Sequence, residues 1–105
     1  MFITEGEEFL LLETNRLPPN FTGIIEYSSG IKMWLTEGKR HRIGGAAVEY
    51  SSGSKAWWVN GKLHRLDGPA CEYSDGSKTW WVDGKNVTKE QHALLIDIMK
   101  LKGIY

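Results

Sequence analysis

The stretch Glu72-Tyr73-Ser74-Asp75-Gly76-Ser77-Lys78-Thr79-Trp80-Trp81-Val82-Asp83-Gly84-Lys85 decides the fold. Tyr73 to Ser77 reads as a hairpin loop in which Gly76 takes the left-handed conformation after a type I turn. Asp83-Gly84 is a type I′ signal. Between the two turns, Lys78–Asp83 carries the aromatic and β-branched residues that suit a pleated surface. The same pattern occurs twice upstream, as Glu49-Tyr50-Ser51-Ser52-Gly53 leading to Trp57-Trp58-Val59-Asn60-Gly61-Lys62, and as Glu26-Tyr27-Ser28-Ser29-Gly30 leading to Trp34-Leu35 and Gly38-Lys39.

The spacing is 23 residues at Tyr27, Tyr50 and Tyr73, and again at Trp34, Trp57 and Trp80, with no insertion. Three units follow, 20–42, 43–65 and 66–88, and the second and third share 13 of their 23 positions. The first unit diverges, as an outer unit with one neighbour should. Strands are predicted near 47–50, 55–60, 70–73 and 78–83, with 62–65 a third short strand or an ordered loop. Pro69 cannot donate to a ladder and belongs at a strand start or edge. The fold class read from this is mainly β: an antiparallel meander of three β-hairpin repeats in a single sheet, with a C-terminal α-helix. Residues 1–19 form an N-terminal capping segment, in which Phe9-Leu10-Leu11-Leu12 could be a strand and Leu17-Pro18-Pro19-Asn20 a connector.

Period two puts Trp34, Trp57 and Trp80 on one face, and Trp58 and Trp81 on the other. The first row is expected in the core. The second needs a cover or offers a surface. Thr88-Lys89-Glu90-Gln91 fits a capping box opening a helix over about 89–102, with Gly103 as its stop. Leu94, Leu95, Ile98 and Leu101 are its expected packing side, and pairing of this helix between protomers is the alternative.

Thirteen basic and thirteen acidic residues cancel. A general nucleic-acid binder, expected to be basic, is disfavoured. One cysteine, Cys71, allows no internal disulfide and suits a reducing compartment. No apolar run is long enough for a membrane span, and no secretory signal is legible. A cytoplasmic protein is the expectation.

The unit Gly61-Lys62-Leu63-His64-Arg65-Leu66-Asp67-Gly68-Pro69-Ala70, followed by Trp80-Trp81 and by Val87-Thr88-Lys89-Glu90, resembles the G-K-x-H-R-x-D-G-P-A repeats of small proteins of tailed bacteriophages and some large viruses. It is similar, more distantly, to MORN repeats, with a different distribution of residues around the tryptophan pair. The resemblance covers about 20–102. It implies a viral origin, a place in the host-cell cytoplasm, and a binding role.

His41-Arg42 and His64-Arg65 recur at one point of the unit. With Lys39, Arg40 and Lys62 they could form a cationic stripe along one sheet edge for phosphates, nucleotides or an acidic protein surface. The alternative is that each histidine bonds a turn and each arginine pairs with Glu49 or Glu72. Trp58 and Trp81 complete the candidate partner- or anion-binding set as anchors. No ligand spacing for a metal, no activated nucleophile and no phosphate-cradling loop is legible, so neither a cofactor nor catalysis is expected. The leading reading is a small viral interaction protein that docks on a host protein and blocks a host enzyme or defence factor. The rival is a protein that sequesters a nucleotide or other anionic small ligand through the His/Arg stripe. A structural or assembly protein that self-associates through its sheet edges into a homo-oligomer is a third.

Overall fold

The computed structural model describes residues 2–4 and 20–104. The strands are β1 (Phe2–Thr4), β2 (Gly23–Glu26), β3 (Lys32–Thr36), β4 (Lys39–Arg40), β5 (Val48–Glu49), β6 (Lys55–Ala56), β7 (Trp58–Val59), β8 (Lys62–Leu63), β9 (Cys71–Glu72), β10 (Lys78–Val82) and β11 (Lys85–Val87). One helix, α1 (Lys89–Leu101), follows. Along the sheet the order is β1-β2-β3-β5-β6-β9-β10-β11, with β4 pairing β3, and β7-β8 form a separate ribbon. Every pairing is antiparallel except β1 with β2. The chain is therefore an antiparallel meander with a C-terminal helix. Phe9–Leu12 and the Leu17–Pro19 connector lie outside the described residues.

Local chemistry sets the turns. Gly76 at φ 90° lets its N–H reach the Tyr73 carbonyl at 2.9 Å, and Gly53 at φ 96° does the same to Tyr50 at 3.0 Å. At the opposite ends of the hairpins Asn60-Gly61 and Asp83-Gly84 both stand at positive φ, as type I′ turns require. Glu37 holds the same left-handed conformation before Gly38, at φ 48°. The type I′ signal is degraded there, and the turn still forms.

The expected strand over 55–60 is interrupted at Trp57, which separates β6 from β7. The Trp57 N–H still donates to Ala70 O at 2.7 Å. The stretch 62–65 resolves as the short strand β8 and an ordered loop.

The buried side chains form two clusters, with Ala46, Ala47 and Ala70 buried beside them. Val48, Ala56 and Cys71 are buried together, and Met33, Trp58, Leu63 and Trp81 pack against them. Phe21 and Ile25 form the continuation under Leu35 and Tyr27. This corrects the expectation for the tryptophans. The row that joins the core is Trp58 and Trp81, with Leu35 as its counterpart in the first unit. Trp34, Trp57 and Trp80 are half-buried on the other face. Each meets a cation: Arg42 lies 3.9 Å from the Trp34 ring centre, Arg65 3.8 Å from Trp57, and Lys89 6.0 Å from Trp80. A guanidinium is planar and weakly hydrated, so it shields an indole face that no second layer covers.

The capping box of α1 is present. Thr88 Oγ1 accepts from the Gln91 N–H at 3.0 Å, and Gln91 Oε1 accepts from the Thr88 N–H at 2.9 Å. The packed side differs from the one expected. His92 and Ile96 are buried, with Leu95 and Met99 half-buried, whereas Leu94, Ile98 and Leu101 face outward. The reason is an anchor that apolar periodicity does not register: His92 Nε2–H donates to Arg65 O at 2.8 Å. That bond turns the helix so that residues 92, 96 and 99 meet the last unit. Among the described residues, no helix is long and apolar enough to cross a membrane.

Candidate partner-binding surface

The His-Arg row is built from the backbone outward. The Arg42 N–H donates to Trp58 O and the Arg65 N–H to Trp81 O, each at 3.2 Å, which ties each unit to the next. Each guanidinium then stacks on the tryptophan of its own unit and bonds to the opening residues of the next. Arg42 Nη1 donates to Ala46 O at 3.1 Å and meets Glu49 at 3.5 Å. Arg65 Nη1 donates to Pro69 O at 3.1 Å and to Glu72 at 3.0 Å, while its Nε meets Asp67 at 2.9 Å. Each guanidinium is held between a tryptophan face and a glycine. A Cβ on Gly45 would stand 2.9 Å from Arg42 Cζ, and one on Gly68 2.9 Å from Arg65 Cζ. Only a residue without a side chain permits this approach.

The histidines are occupied too. His41 Nδ1 accepts from the Asn60 N–H at 3.0 Å, and His64 Nδ1 from the Asp83 N–H at 2.9 Å. Each ring satisfies a donor of the next type I′ turn. In the first unit Thr22 Oγ1 takes this part, accepting from the Glu37 N–H at 2.8 Å. His41, Arg42, His64 and Arg65 are thus engaged in the bonds between and within units.

The other four candidates come together on the opposite face. Arg40 lies over the Trp58 ring at 5.0 Å. Trp58, Lys62, Leu63 and Trp81 line one cavity of about 550 Å³, with Asp83 and Lys85 at its rim. Trp58 and Leu63 also line a second, of about 390 Å³, whose walls include Tyr50, Tyr73, Ala56 and Cys71. The two cavities share a wall and make one groove across the sheet. Its sides are apolar and aromatic. Tyr50 and Tyr73 remain 43% and 46% exposed. The basic side chains at the turn end repeat with the units: Lys39 lies against Gly61, and Lys62 against Gly84, each 3.6 Å from where a Cβ would stand.

Two sets of residues escape the sequence reading. Gly45 and Gly68 are 23 residues apart, and each lies three residues after the arginine it accommodates, so the spacing held a signal. Tyr50 and Tyr73 read as hairpin-loop residues, and their place beside Trp58 follows from strand register. Protein-family models, curated proteins and solved structures give no match to this chain.

Proposed function

We propose that this chain is a non-enzymatic interaction protein of viral, phage-type origin that docks on a host protein and inhibits it, with a host enzyme or defence factor as the target class. The observation that carries this reading is the groove at Trp58 and Trp81. It has half-buried indoles at its centre and exposed tyrosines on one side. No layer of the described residues lies over it. Tryptophan, tyrosine and arginine are the residue types that dominate binding energy at protein interfaces, and here Arg40 joins them. The face with the His-Arg row is less suited, because its cations already hold internal partners.

The test is capture from host lysate by the tagged chain, with Tyr50→Ala and Tyr73→Ala combined as the variant. Both tyrosines are exposed, so the double variant should melt within a few degrees of the parent. The reading expects the captured protein to be lost from the variant. Capture undiminished by the double substitution would refute docking at this groove.

A second reading has its own observation. Lys39, Arg40, Lys62 and Lys85 are exposed at the turn end of the sheet. They favour an anionic small ligand, bound beside the groove rather than at the His/Arg stripe. A thermal-shift panel of nucleotides separates the readings, since a ligand that binds only the folded chain raises the melting point.

A further inference from the structure

The outward side of α1 carries Leu94, Ile98 and Leu101, which are 61%, 39% and 88% exposed. Their spacing of four and then three residues is that of a heptad seam, with Leu94 and Leu101 at d positions and Ile98 at a. Three flanking positions carry charge, while Leu95, at the other e position, is half-buried. Glu90 and Asp97 fall at g, and Lys102 falls at e. All three are exposed.

We propose that α1 pairs in parallel with α1 of a second copy of this chain. Three features point to that occupant. First, a β-branched residue at a with leucine at d favours two parallel strands. Second, in a parallel pair the g residue of one helix faces the e residue five positions on in the other. Asp97 then meets Lys102 of the second copy, twice by symmetry. An antiparallel pair would instead bring the g flanks together and set Asp97 against its own counterpart. Third, the helix is already formed and oriented. It is capped by Thr88, closed by the Lys102 N–H on Ile98 O at 3.1 Å, and held by His92 on Arg65 O. Pairing therefore bears little ordering cost. The seam is short, so the dimer is weak and depends on concentration. It uses a different surface from the Trp58 groove and stands without the docking reading.

The experiment is sedimentation equilibrium of the purified 105-residue chain up to about 1 mM, with far-UV circular dichroism and melting on every variant. The expected result is a reversible monomer–dimer equilibrium. Leu101→Glu should raise its dissociation constant at least about tenfold, because two exposed leucines are lost from the seam. Asp97→Lys should weaken the dimer, and adding Lys102→Asp should restore it, a rescue that a merely destabilised helix does not show. A monomer at every concentration overturns the proposal, and so does a dimer indifferent to Leu101→Glu. A charge exchange that fails to restore the dimer overturns the parallel arrangement.

Discussion

Trp58 and Trp81 occupy the same place in consecutive units, yet their indole N–H groups have different fates. Trp81 Nε1 donates to Thr79 Oγ1 at 2.9 Å. Trp58 Nε1 is buried and has no partner among the described residues. The difference is one side chain, since Ala56 stands 23 residues before Thr79. A buried donor left unpaired costs about 1–3 kcal/mol. Ala56→Thr should copy the Trp81 arrangement and stabilise the chain by about 1 kcal/mol, read as a higher urea midpoint at unchanged slope. A lower midpoint would mean that the threonine methyl does not fit between Val48 and Cys71. The arginines offer the opposite experiment. Arg42→Ala with Arg65→Ala removes two stacked guanidiniums together with their bonds to Ala46 O, Pro69 O, Glu49 and Glu72. A loss of about 2 kcal/mol at each site is expected, from stripped indole faces and unpaired carbonyls. Thermal melting of the double variant checks this, and a change under about 1 kcal/mol would show the row to be surface decoration.

At the scale of elements, turns were legible and faces were not. Gly53, Gly76, Asn60-Gly61 and Asp83-Gly84 carry their conformation in their own chemistry, so the meander follows from residues close in sequence. Assigning the tryptophan rows to faces needs a long-range fact. Period two says that Trp57 and Trp58 point to opposite sides, and it does not say which side is the core. The decision rests on Arg65 reaching Trp57 past Gly68, a tertiary contact that strand periodicity does not register. The helix shows the same division. Thr88 and Gln91 announce its start, whereas a buried histidine sets its packed side against the apolar pattern. The β9–β10 turn has a testable electrostatic signature. The Ser77 hydroxyl and N–H both donate to Asp75, at 2.6 and 2.9 Å, and hold its carboxyl below the ordinary carboxylate range. A depressed folded value means that the stabilisation is complete above the ordinary range and fades as pH falls through the lowered one. An NMR titration should find the Asp75 midpoint depressed, and Ser77→Ala should return it toward the ordinary value. A midpoint already ordinary in the parent chain would refute the bond.

At the scale of the whole molecule, the two faces of the meander differ. One face is closed by its own cations, Arg42, Arg65 and Lys89, over Trp34, Trp57 and Trp80. The other keeps a groove at Trp58 and Trp81. Half of the candidate set read from sequence, Arg40, Lys62, Trp58 and Trp81, falls on the groove side. The other half was drawn in by repetition, since residues that recur in each unit can serve either packing or binding. Composition could not separate them, because a guanidinium that binds a partner and one that stacks on a neighbour are the same residue. Site-specific photo-cross-linking in host lysate addresses the division most directly. The photoreactive residue is placed at Tyr73 on the groove side and, separately, at Lys78, whose Cα neighbour Glu72 holds Arg65 on the closed side. A discrete cross-linked product with a host protein is expected from position 73 and none from position 78. A product from position 78 with position 73 silent would contradict this expectation.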